Sequence, residues 1–362
     1  MIVCSDCFSD AEIKTRIESY GKKGTCQFCG KTECYIYDSN EDSYLSGIFD
    51  KIINLYSPVS SLSKKVPASK QTFLKSEFSK SWGFFNKLSE EQIYNILVEL
   101  SSDLYSETPE LFDSPIINAQ IDDTTSITEN SILRGYKWDD FVFSLKHQNR
   151  FHTGYMNTDI LEKFCSYIRK PYKKGTKFYR ARISSKKGFE PIDMGAPKAD
   201  IVSDGRANSA GIRRLYLADD FLTTIYETRA GAFDFVSVGC FELQKDITVV
   251  DFKLINQISP VTEGLSALQY IINRDLLNKI NDEMGKTMRR SDSVLDYLPT
   301  QYITDFIQSI SYEDGPEYDG IEYRSTLHPA GYNLAIFKPE LFKCISVDVY
   351  RVNEIKYDPM KI

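Results

Sequence analysis

Three side chains in the second half of the chain could together do chemistry on an anionic sugar: Arg180 in 178-FYRAR-182, Glu227 in 205-GRANSAGIRRLYLADDFLTTIYETR-229 and Ser325 in 320-GIEYRSTLHPAGYNLAIF-337. A fixed carboxylate opposes a developing oxocarbenium ion, a guanidinium holds an anion, and a serine hydroxyl orients a carboxylate or meets a ribose. One carboxylate suffices when the leaving group is already cationic in the substrate and departs neutral, whereas ordinary glycoside hydrolysis generally needs two. Strand alternation places Arg182 on the same face as Arg180 and Phe178, which suits a stacked anionic ligand. The loop 205-GRANSAG-211 offers Arg206, Asn208 and backbone amides to phosphate. Tyr216 is a candidate wall for a flat ring. Each group also has a plain structural use. Glu227 could pair with Arg229 on the surface, the arginines could be salt-bridged on an edge strand, and the loop could be an ordinary polar turn. Arg324-Ser325-Thr326 is not a Gly-x-Ser-x-Gly elbow, so Ser325 does not read as a hydrolase nucleophile.

A second constellation lies at the amino terminus, where five of the eight cysteines fall within the first 34 residues. Cys4-x2-Cys7, an 18-residue gap and Cys26-x2-Cys29 have the paired-knuckle spacing of a structural zinc site. Four thiolates leave no open coordination position, so such an ion would be structural. Gly30 follows the second pair, where a knuckle needs positive φ. Cys34 is a spare, and Cys165, Cys240 and Cys344 sit in apolar contexts and read as core residues. Neither His147 nor His152 is patterned for a role, and His328 is the only conceivable base near Ser325.

These groups need elements to hold them. Apolar spacing predicts a helix over 42–57, and Ser89-Glu90-Glu91-Gln92 is a capping box ahead of another. The polar stretch 106–130 reads as a loop, and 138–148 and 158–170 read as helices. Beyond 170, strand-like runs begin at 177, 214, 235, 246, 332 and 343, interrupted by helical patterns at 221–230, 265–284 and 295–310. Strands and helices do not alternate strictly, which predicts α+β rather than a doubly wound sheet. No Gly-x-Gly-x-x-Gly follows a strand and no Walker loop is present, which makes a Rossmann oxidoreductase and a P-loop NTPase poor readings.

The whole chain of 362 residues, 42% hydrophobic and 13% aromatic, has the make-up of a folded protein of about two domains. A net charge of −7 argues against nucleic acid as the main ligand. No apolar run approaches the ~20 residues of a membrane span and no secretory leader is apparent, so the expected location is the cytoplasm.

The motifs taken together resemble the RES domain, a family named for an arginine, a glutamate and a serine and built like a compact ADP-ribosyltransferase. FYRARI is similar to the segment with the family arginine, which falls on Arg180; LYLADDFLTTIYETRA to the strand and helix ending in the family glutamate, Glu227; YDGIEYRS to the segment with the family serine, Ser325. The GRAN loop and the helix with Gln301-Tyr302 resemble longer members. The resemblance implies an enzyme of the NAD glycohydrolase or phosphorylase type, with NAD as substrate, acting as a bacterial toxin or defence effector. Arg180, Glu227 and Ser325 would be catalytic; Arg182, Arg206, Asn208, Tyr216 and Asn333 would bind NAD. Family members commonly work under an antitoxin or regulatory protein. The sequence leaves a homo-oligomer open. Two alternatives stand beside this reading: transfer of ADP-ribose to a protein or nucleic acid, and an inactive module that docks a partner through its ribbon. The compact toxins lack the front region, which resembles the HEPN-associated segment of some RES proteins. The expected domains are a zinc ribbon at 1–38, a helical regulatory or interaction domain at 39–170 and the RES domain at 171–362.

Overall fold

The computed structural model describes every residue except 64, 122, 287–292, 313–314 and 357–362. The chain forms two compact units, one of Met1–Gly135 with Ile258–Arg274 and one of Tyr136–Gln257 with Asp275–Ile362. This division differs from the expected boundaries at 38 and 170. The cysteine knuckles do not have a core of their own: Cys4, Cys7 and Cys26 pack in one apolar cluster with Leu45, Phe49, Ile93 and Phe112. The helices Trp138–His147 and Thr158–Ser166, in turn, pack on the helix Leu298–Ser309, with Phe141 edge-on to Tyr302.

The first unit opens with a three-stranded antiparallel sheet of β1 (Ile2–Cys4), β2 (Lys23–Gly24) and β3 (Cys34–Asp38), with β3 central. The expected helices follow as Tyr44–Ile53 and Glu90–Leu100. At the second, Ser89 and Gln92 exchange both capping-box bonds. The segment 106–130 is not a plain loop: it holds a short strand at Ile116–Ile117 and a helix at Thr124–Asn130. Asp123 starts that helix by accepting from the Ser126 amide, so a cap outweighs weak propensity there.

The second unit is an eight-stranded α+β sheet. Its strands are β4 (Arg169–Tyr172), β5 (Lys177–Ser184), β6 (Leu215–Ala218), β7 (Phe235–Leu243), β8 (Ile247–Asp251), β9 (Gly320–Arg324), β10 (Tyr332–Ile336) and β11 (Phe342–Arg351). Their spatial order is β11-β7-β5-β6-β10-β9-β8-β4, antiparallel except for β8 beside β9. The helix expected over 158–170 ends at Ser166, and Arg169–Tyr172 becomes an edge strand, a place where Pro171 costs no central ladder bond. One face buries Phe178, Leu215, Leu217, Phe241, Leu334 and Ile336. Near the β4 edge, the fully buried Glu322 carboxylate is bonded by Lys170 at 2.8 Å, by Lys253 and by the Tyr172 hydroxyl.

The join between β5 and β6 is short. Only Tyr179 and Ala218 pair there, whereas β5 and β7 pair along eight residues. The helix Phe221–Thr228 packs across β5, β6 and β7. It starts where Asp220 caps the Thr223 amide and ends at Arg229 in a left-handed conformation, φ 50°.

Candidate active site in the second unit

Where β5 and β6 part, the Arg180 guanidinium takes the place of ladder bonds and donates to the Tyr216 carbonyl at 3.0 Å. Its Nε is shielded from solvent and has no hydrogen-bond partner among the described residues. Burial, with the nearby charge of Arg182, pulls its pKa down to about 10. Among the described residues no carboxylate pairs with it. A desolvated, unpaired guanidinium is costly unless an anion joins it.

Glu227, in the last turn of its helix, is held from the other side. Ser325, just past the end of β9, donates its hydroxyl to Glu227 Oε1 at 2.7 Å. Asn333 of β10 donates its amide to the same oxygen at 2.8 Å. Both donors are buried. Oε2 has no partner among the described residues, so the carboxylate is fixed through one oxygen and keeps the other for a ligand. Ser325 Oγ also accepts from the His328 amide at 3.1 Å, which fixes its single proton on the Glu227 side.

These groups border one cavity of about 330 Å³, lined by Arg180, Arg206, Tyr216, Glu227, Arg229, Tyr297, Tyr323, Thr326 and Asn333 among others. Three arginines and one carboxylate line it, and the tyrosines supply flat apolar surface. The arrangement suits a molecule with negative charge at one end, a ring, and hydroxyls for a carboxylate.

The loop from Asp204 to Ser209 forms one wall. Gln301, 2% exposed, donates to the carbonyls of Gly205 at 2.9 Å and Asn208 at 2.8 Å. Tyr216 donates its hydroxyl to Asn208 Oδ1 at 2.6 Å and accepts from the Ala207 amide at 3.1 Å. Burial raises the Tyr216 phenol to about 12, so it stays protonated and donating at neutral pH. Tyr216 therefore lines the cavity and also ties down the loop.

Of the eight residues expected in this site, six line the cavity or bond Glu227: Arg180, Arg206, Tyr216, Glu227, Ser325 and Asn333. The other two lie elsewhere. Arg182 donates to the Asp193 carbonyl and its guanidinium stacks 4.4 Å over Phe189, because β5 at that point is paired with β7 at Ser237. Asn208 spends its amide on the carbonyls of Ser203 and Ser209, so it organises the loop. Arg206 lines the cavity while donating to the carbonyls of Glu283 and Lys286, which makes it a brace for the wall. Sequence reading missed Arg229, Tyr297, Tyr323 and Thr326. Arg229 and Thr326 flank assigned residues closely, which is the one signal that could have found them.

In the first unit, the sulfurs of Cys4, Cys7, Cys26 and Cys29 all lie within 4.8 Å of one another, close enough to hold a metal ion. Neighbouring sulfurs are 3.5 to 3.7 Å apart. A tetrahedral ion with metal–sulfur bonds of ~2.3 Å separates its sulfurs by about 3.8 Å, so the cluster fits zinc. Burial raises the Cys4 thiol to about 12, while at Cys26 amides of Cys29, Phe28 and Cys4 outweigh burial and bring it down to about 7. Gly30 takes φ 72°, as the knuckle requires. Cys34 stands apart from the cluster, its thiol directed at the carbonyls of Lys31 and Gly24. Cys165 is buried, whereas Cys240 and Cys344 are only half-buried and not core residues.

The second unit is thus an α+β domain with a cavity lined by arginines and a single braced carboxylate. The RES domain model matches residues 177–357, half of the chain, and the chain belongs to the RES domain family. That family is associated with NAD-related toxin activity. No curated protein and no solved structure matches the chain. No helix among the described residues is long and apolar enough to cross a membrane.

Proposed function

We propose that the cavity binds NAD and cleaves its nicotinamide–ribosyl bond. The observation that carries this reading is the fixed Glu227 carboxylate, with one oxygen bonded to Ser325 and Asn333, sharing a cavity with the unpaired Arg180 guanidinium. Nicotinamide leaves as a neutral molecule from a cationic ring, so no general acid is needed at the leaving group. The barrier lies in the ribosyl oxocarbenium ion, and a preorganised negative charge lowers it. Glu227 Oε2 would face the ribose and Arg180 would hold the diphosphate. Arg206, braced as it is, adds positive field to the same wall. Ser325 and Asn333 keep the carboxylate from turning as charge develops. The tyrosines would stack on the rings. As a toxin or defence effector, the protein would act by depleting NAD under the control of a partner. Zinc in the four-cysteine cluster would be structural.

Incubation of the pure protein with NAD tests this. Free nicotinamide with no labelled protein supports cleavage with a small acceptor. Label on a macromolecule supports ADP-ribosyl transfer in the same fold. Absence of both products would leave the inactive binding module as the reading.

A further inference from the structure

The turn that carries Ser325 is fastened to the helix that carries Glu227 by a histidine outside the cavity lining. His328 Nδ1 lies 2.8 Å from Thr223 Oγ1, which lies 2.6 Å from Asp220 Oδ2. The His328 ring stacks on Tyr226, with centroids 5.3 Å apart and planes 12° from parallel. A threonine hydroxyl has one proton, and the Asp220 carboxylate can only accept it. Thr223 Oγ1 must then accept from His328, so the bonding pattern puts the proton of the neutral ring on Nδ1.

The turn itself is closed by short bonds. The Ser325 amide donates to the Gly331 carbonyl at 3.0 Å, and the Gly331 amide to the His328 carbonyl at 2.9 Å. The turn also packs directly on Thr223: a Cβ on Gly331 would come within 1.9 Å of Thr223 Oγ1. The His328 amide is the donor that sets the Ser325 hydroxyl toward Glu227.

We propose that His328 is a positioning residue: by donating from Nδ1 to Thr223 it clamps the Ser325–Gly331 turn onto the helix Phe221–Thr228 and so holds Ser325 on Glu227. The proposal rests on the reading of Glu227 and Ser325 as the reacting site. Its test separates the two. Asparagine can place an amide donor near the position of Nδ1, whereas glutamine places one near Nε2. His328→Asn should keep nicotinamide release within about threefold of wild type. His328→Gln, His328→Ala and Thr223→Val should each lose on the order of tenfold or more in kcat, with KM for NAD little changed, the scale of one orienting hydrogen bond. Equal losses in the asparagine and glutamine variants would overturn the clamp, because a side chain that merely fills space gains nothing from the Nδ1 position. A second readout needs no NAD. Amide hydrogen exchange at Ser325 and Gly331 should quicken about tenfold in His328→Ala and Thr223→Val and stay slow in His328→Asn. Unchanged exchange in the first two variants would also overturn it. If the wild-type protein releases no nicotinamide, the functional reading fails while the exchange measurement still decides the clamp.

Discussion

In the proposed reaction Glu227 is the residue that opposes the developing charge, and its neighbours hold it for that role. Two buried donors converge on Oε1, so the charge is oriented before any ligand arrives. Arg180→Ala should weaken NAD binding as well as turnover, because the diphosphate is charged throughout and the substitution removes its unpaired cation. Binding titration alongside kinetics checks this. Arg182→Ala should leave both within about threefold, since its guanidinium is spent on the Asp193 carbonyl and the Phe189 ring. A loss equal to that of Arg180→Ala would mean that Arg182 reaches the ligand after all. The two arginines show what a sequence can and cannot reveal at this scale. Alternation assigns them one face, but only the parting of β5 from β6 decides which of them enters a cavity.

At the scale of elements, the loop from Asp204 to Ser209 and the β4 edge are each held in part by a buried polar side chain, Gln301 and Glu322. Gln301→Ala would take the side-chain donor from the Gly205 and Asn208 carbonyls, leaving them the backbone bonds between those two residues, and loosen the cavity wall. Its expected effect is a several-fold rise in KM for NAD with a smaller change in kcat, read from steady-state kinetics. Glu322→Ala should cost about 1–3 kcal/mol of stability, because it removes the acceptor of the Tyr172 hydroxyl and the nearer carboxylate of Lys170 and Lys253, which keep Asp251 at 3.7 and 3.6 Å. Denaturant unfolding measures that cost. Much of this level was legible in advance. The capping box at Ser89 fixed a helix start, and alternating apolar runs marked most strands of the sheet. The helix at Thr124–Asn130 was not legible, because its seven residues have weak propensity and the Asp123 cap makes the difference. The short strand at Arg169–Tyr172 was hidden in the same way: two cations and a proline do not look like a strand until a neighbour supplies the pairing.

For the molecule as a whole, metal and core are one question in the first unit. Cys4, Cys7 and Cys26 pack among its apolar side chains, so losing the ion should loosen more than the ribbon. Elemental analysis should find about one zinc per chain, as a four-thiolate site requires. Cys26→Ser should lower the melting temperature of the first unit, and fully folded, metal-free protein would contradict the assignment. Cysteine spacing made this site readable, whereas the extent of the core it belongs to was not, because packing partners from Leu45 to Phe112 carry no spacing signal. The RES family match covers residues 177–357, and the central question is whether Glu227 drives bond cleavage there. The most direct measurement is nicotinamide release from NAD by wild type and Glu227→Gln, with NAD binding measured in both. Glutamine keeps the size and the hydrogen bonding but removes the charge. The account predicts release by wild type, a loss of about 10²–10³ in kcat for the variant, and near-equal NAD affinity. Wild-type turnover in Glu227→Gln would contradict it.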